Sequence, residues 1–119
     1  MKQYKTKDSG KRKVWDSGFN RDTDEGKLRY DLIPTELLER LAGLYTRGAE
    51  KYDDNNWKIA KTEEEINRFK QSGWRHWMQW LKGDQDEDHA IAVIWNLIAY
   101  EWHTQHKNEN NHKTKKSNI

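Results

Sequence analysis

Residues Asp86–Trp102 read DEDHAIAVIWNLIAYEW, and the fold turns on that stretch. Three acids and His89 lead into eleven residues, Ala90 to Tyr100, among which Asn96 alone is strongly polar. The pattern predicts a helix from about Asp86 to His103. An asparagine in such a run needs a partner, because each buried polar group left unsatisfied costs roughly 1–3 kcal/mol. On an ideal helix His89 and Asn96 lie within about 20° of one another and about 10 Å apart along the axis. Ala92 stands between them on that face, small enough to leave room for a side chain, a water or a ligand. Asp88 borders the same face near the helix start, where free amides and the helix dipole favour anions.

Two further helices precede it. Pro34 opens the first, with Thr35 as its expected cap, and Leu37, Leu38, Leu41, Leu44, Tyr45 and Ala49 recur at helical spacing to about residue 52. The turn-rich DDNNW ends it. Thr62 followed by Glu65 is a capping box that starts the second helix, roughly 63–82. Ile66, Phe69, Gly73, Trp77, Trp80 and Leu81 share a face of it, and Gly83 is its stop signal. Residues 14–34 are dense in Gly, Asp, Asn and Ser and read as an ordered loop; no alternating strand pattern of useful length is present. The expected fold is all-α, a small domain of about three helices after an extended N-terminal loop, completed by oligomerisation.

The boundaries follow from composition. Residues 1–13 and 104–119 are polar and basic and are expected to be disordered tails flanking a single domain at 14–103. About ninety residues make a marginal core for a monomer. Yet the chain carries seven Trp and five Tyr, which must either fill an aromatic core or complete one across a subunit interface. The net charge of +2 hides a split, since the basic tails leave the body acidic. That is not the footprint of a domain tracking nucleic acid. There is no cysteine, which excludes disulfides, zinc–thiolate sites and cysteine nucleophiles. No run approaches a membrane span and Met1 is not followed by a signal sequence, so a cytoplasmic location is expected.

Several groups can carry chemistry. His76 lies on the face of Phe69, Gly73 and Trp80, with Arg75 beside it. Its expected partners are the acids and Asn96 of the last helix, and the sequence leaves open whether these form a core network or a phosphate or metal site. Glu36, Glu39, Gly43, Glu50 and Asp54 form an acidic stripe on the first helix. Glu39 and Glu50 are about 16 Å apart and cannot share an ion. Its C-terminal end is different, because Glu50 and Asp54 meet Lys51, Asn56 and Trp57 at a chain reversal. In the N-terminal loop Arg21, Lys27 and Arg29 suit phosphate oxygens or plain surface charge equally.

Taken together, SGFNRDTDEGKLRYDLIP, RGAEKYDDNNW, RHWMQW and DHAIAVIWNLIAYE resemble, in order and spacing, the phage-rich dATP/dGTP diphosphohydrolase N-terminal-like family, over about residues 16–101. The resemblance implies an all-α fold related to the nucleoside triphosphate pyrophosphohydrolases, with Mg²⁺ or Mn²⁺ as cofactor if the protein is an enzyme. It would cleave a purine deoxynucleoside triphosphate to the monophosphate and pyrophosphate. Carried over by position, the substrate-binding residues are Arg21, Lys27, Arg29, Lys51, Tyr52, Asn56, Trp57, Arg75 and Asn96. The catalytic ones are His76, His89 and Asp88, and Glu50, Asp54 and Asp88 would hold the metal. The chain departs from the pattern at Gln71, where an acid precedes the RH pair, and lacks a paired ExxE/ExxD spread over two helices. A pocket that binds a nucleotide-derived host defence signal without turnover is the alternative implied. A nucleotide ligand and a second copy of the chain are the expected partners, with no membrane and no nucleic acid.

Overall fold

In the computed structural model the backbone is described for residues 3–117 and the side chains for residues 3–107. The chain forms two compact units, residues 1–33 and 34–119.

The first unit contains a feature the sequence reading missed. Strands β1 (Arg12–Val14) and β2 (Asn20–Asp22) pair antiparallel, with Arg12 opposite Asp22 and Val14 opposite Asn20. Between them, Trp15 and Gly18 close a turn in which Gly18 takes φ +88°, a conformation that favours glycine. Side chains supply what the strands lack in apolar content. The Ser9 hydroxyl bonds Asp22, and the Arg12 guanidinium forks onto Asp8 at 2.8 Å. Ordered contacts therefore reach back into the segment expected to be a disordered tail. Arg29 is spent on Asp31 through two bonds of 2.8 and 2.7 Å. Arg21 and Lys27 are exposed and form no ion pair among the described residues.

The second unit is three helices: α1 (Thr35–Lys51), α2 (Glu63–Lys82) and α3 (His89–Ser117). The ends of α2 follow local chemistry as expected. Thr62 accepts the Glu65 amide while the Glu65 carboxylate accepts the Thr62 amide, and Gly83 closes the helix at φ +84°. At α1 the expected cap is corrected, because Thr35 is already helical and no side chain caps that end. The end of α3 is corrected too. The helix runs on to Ser117, past His103 and through most of the expected disordered tail; residues 118–119 lie outside the described residues.

Helix α3 is the spine of this unit. Its buried face reads His89, Ala92, Asn96, Ala99, His103, alternating polar and small at helical spacing, with Ile91 beside it. Helix α2 lies antiparallel along that face. Phe69 stacks on His103, Gly73 meets Asn96, and His76 meets His89. Asn96 satisfies its amide within its own helix, donating from Nδ2 to the Ala92 carbonyl at 2.8 Å. It is therefore not oriented by either histidine. Helix α1 reaches α3 through Tyr45 on Trp95 and Arg40 on Asp88. Phe69, Trp57, Trp95 and Trp102 then build an edge-to-face aromatic cluster with Tyr45. Among the described residues no helix is long and apolar enough to cross a membrane.

A methyl group on Gly73 would stand 3.2 Å from the Asn96 Cβ, whereas one on Gly48 in α1 would meet nothing within 4 Å. Overpacking costs about 1–3 kcal/mol, while Gly→Ala inside a helix gains about 0.5–1 kcal/mol. Gly73→Ala is accordingly expected to lower the urea midpoint and Gly48→Ala to raise it, both read by tryptophan fluorescence.

Candidate functional site

A groove of about 1220 Å³ opens between the end of α1, the turn after it, and the facing parts of α2 and α3. The turn Asp53–Asn56 forms one part of its wall. Asp53 takes φ +138° and Asn55 φ +60°, two non-glycine residues at positive φ within three positions. Such strain, on the order of 1–3 kcal/mol per residue, gathers at functional turns. Asn55 tolerates its conformation better than Asp53 does. Arg47, Lys51 and Arg68 bring positive charge to the groove, and Tyr45, Tyr52, Trp57, Phe69 and Trp95 bring aromatic surface.

The opposite charge comes from the loop before α3. Asp86, Glu87 and Asp88 all line the groove. Both oxygens of Asp88 are engaged. Arg40 donates to both of its oxygens, at 2.7 and 2.8 Å, and one of them also accepts the Ile91 amide. The Arg40 guanidinium holds the Asp88 carboxyl below its usual range. Asp88, expected to act in catalysis and to hold metal, thus also ties α1 to the start of α3.

His89 is 2% exposed, and its two ring nitrogens are both engaged. Nε2 lies 2.7 Å from Asp86 Oδ1, and Nδ1 lies 2.8 Å from Nδ1 of His76. The bonding fixes the tautomers. A neutral His89 donates Nε2–H to Asp86, leaving a lone pair on Nδ1, and His76 donates Nδ1–H to it. Burial, chiefly, pushes the His76 pKa down, so the ring is neutral near pH 7. Asp86 is held below its usual range by the bond to His89.

Glu87 completes the arrangement. One ligand atom each from His76, Glu87 and His89 lie within 4.8 Å of one another, the one such group of three among the described residues. Glu50, Asp54 and Asp88 form no equivalent cluster. Glu50 is exposed and does not line the groove, while Asp54 does. The donor set thus fails to fit a magnesium cage of carboxylates alone. The sequence reading did not single out Glu87, because no local pattern shows its convergence with the two histidines.

The remaining expected site residues divide. Lys51, Tyr52, Asn56, Trp57, His76 and Asn96 line the groove. Arg75, expected to bind phosphate, is exposed and stands outside the lining. Trp57 is surrounded edge-on by Tyr45, Trp95, Trp102 and His103, so it builds the wall. Tyr52, 56% exposed with Lys51 Nζ 5.0 Å from its ring centre, has the more open aromatic face. Arg21, Lys27 and Arg29 belong to the first unit.

A family model described as dATP/dGTP diphosphohydrolase, N-terminal, matches residues 17–113. The chain belongs to that family. The match begins within the hairpin unit and ends beyond His103 on α3, so both histidine partnerships of α3 fall inside it. No curated protein and no solved structure matches the chain.

The His103 Nε2–H donates to the Trp57 carbonyl at 2.7 Å, since a carbonyl oxygen can only accept. This bond pins the groove wall to α3. His103→Leu removes it and leaves a carbonyl without its partner, at a cost of about 1–3 kcal/mol. Thermal denaturation is expected at a lower temperature than in the parent, with His103→Gln intermediate.

Proposed function

We propose that this groove binds a purine deoxynucleoside triphosphate and cleaves it to the monophosphate and pyrophosphate. The carrying observation is the joint lining: three cations, an open tyrosine face and a neutral imidazole beside carboxylates, in one groove. Its volume of about 1220 Å³ is ample for a nucleotide. Arg47, Lys51 and Arg68 offset the phosphate charge and Tyr52 stacks on the base. Water attacks the α-phosphorus, the bond to the bridging oxygen breaks, and pyrophosphate leaves with that oxygen. The water's proton is taken up at the imidazole–carboxylate end of the groove. A divalent ion that travels with the triphosphate needs only one or two protein carboxylates, and Asp54 is a groove carboxylate free for that contact.

One observation favours binding without turnover. Glu65, Asp86 and Asp88 line the groove, yet each is already engaged, by Thr62, His89 and Arg40. Sequestration of a nucleotide-derived defence signal needs the cations and the stacking face but no spare carboxylate.

Incubation with dGTP and dATP plus Mn²⁺ or Mg²⁺ should release pyrophosphate, and Lys51→Ala should weaken nucleotide binding about tenfold or more. Nucleotide depleted but recovered intact after heating supports sequestration. Indifference to every nucleotide defeats both.

The same reading includes a second copy of the chain. Among the described residues only Ile91, Ala92 and Ala99 are buried hydrophobics, whereas Trp74, Trp77, Trp80 and Leu97 are 67, 41, 50 and 59% exposed. An apolar groove of about 760 Å³ runs between α2 and α3 beneath Trp74, Trp77 and Leu97. Met78, Leu81, Ile94 and Ile98 add further exposed apolar surface on the same two helices. So small a core gains most from a matching copy. Light scattering after size exclusion should give at least twice the 14.4 kDa chain mass, and Trp74→Glu should lower it. A monomer at tens of micromolar overturns this.

A further inference from the structure

The two imidazoles that touch through like atoms carry more than a hydrogen bond. His76 Nδ1 and His89 Nδ1 lie 2.8 Å apart, with a Glu87 carboxylate oxygen in the same group. Two Nδ1 atoms can share a proton only when one ring donates and the other accepts. A metal ion serves both lone pairs at once. With metal–nitrogen bonds of about 2.0–2.1 Å, two tetrahedral nitrogen ligands stand about 3.3 Å apart. The rings would separate by only about half an ångström from where they are.

We propose that His76 Nδ1, His89 Nδ1 and Glu87 form a binding site for a single borderline transition metal, zinc or cobalt(II) in preference to magnesium. Two nitrogens and one carboxylate oxygen match that ion class, whereas magnesium demands oxygen ligands. The far side of His89 is already arranged as metal-bound histidines are. Its Nε2–H donates to Asp86 at 2.7 Å, which orients the ring and aims Nδ1 at the site. Loading the metal needs no net loss of a proton, since the Nδ1 proton of neutral His76 moves to its Nε2. Three protein ligands leave one position open, and it faces the groove, because His76, Asp86 and Glu87 all line it. That position takes a water or a phosphate oxygen. A metal there supplies a water acidic enough to ionise near neutral pH. This last role rests on the function proposed above; metal binding itself does not.

The full-length chain, stripped with chelator, is titrated with ZnCl₂, CoCl₂ and MgCl₂ by calorimetry, with the visible spectrum followed for cobalt. One zinc or cobalt per chain is expected, with a tetrahedral cobalt spectrum and at least a hundredfold weaker magnesium binding. His76→Gln and Glu87→Gln should each lose affinity tenfold or more, and Asp86→Asn about 10–100-fold. His106→Ala should change nothing. Glu87 and Asp86 are exposed, so their variants keep the test valid if replacing the histidines disturbs folding. Absence of stoichiometric zinc or cobalt binding overturns the proposal, as does binding that survives both His76→Gln and Glu87→Gln. Metal bound as expected without any nucleotide activity overturns only the function proposed above. Magnesium-dependent turnover indifferent to both substitutions overturns only the catalytic role given to this site.

Discussion

Gly73 permits α2 to approach α3 until only the Asn96 side chain separates their backbones. Everything in the helical unit follows from that approach. One turn along α2, His76 arrives at His89; four residues back, Phe69 lies flat on His103. A larger residue at 73 would hold the helices apart, and a 2.8 Å contact between two rings does not survive such a shift. The polar face of α3 is tolerable for the same reason. Asn96 turns inward to Ala92, His103 finds the Trp57 carbonyl, and His89 finds Asp86, so no buried side-chain nitrogen or oxygen among the described residues is left without a partner.

This arrangement reverses the usual division of labour in a small domain. The interior of the α2–α3 seam is polar and small, while much of the large apolar surface, Trp74, Trp80 and Leu97 included, faces outward. The pairing of α2 with α3 thus rests on one imidazole–imidazole hydrogen bond, the Phe69–His103 stack and the close approach at Gly73. The aromatic cluster around Trp57 and Trp95 secures α1 and the turn that follows it. The groove sits where these two regions meet, with the rigid α2–α3 seam on one flank and the strained Asp53–Asn55 turn on another.

What the sequence made legible was local. The Thr62–Glu65 box and Gly83 mark α2 because capping is decided within four residues. The shared face of His89, Ala92 and Asn96 follows from helical periodicity alone. The hairpin escaped notice because its strands have three residues each, mostly charged, with no alternation to read. The long run of α3 past His103 escaped because its composition there is polar. The fork of Arg40 onto Asp88 escaped for another reason: the two are forty-eight residues apart, and no local signal reveals it. The grouping of Glu87 with His76 and His89 went unnoticed because it appears only once α2 has folded against α3.

The stacked pair Trp77–Trp80, with ring centres 5.3 Å apart and planes 22° from parallel, has a spectroscopic corollary. Two indoles so disposed couple their excited states and produce a paired band of opposite signs in circular dichroism, superimposed on the amide signal. Helix content taken from that signal alone will therefore be distorted in this protein. The distortion becomes useful, since any event that reorients these two outward rings will register in the indole couplet even when the backbone does not move.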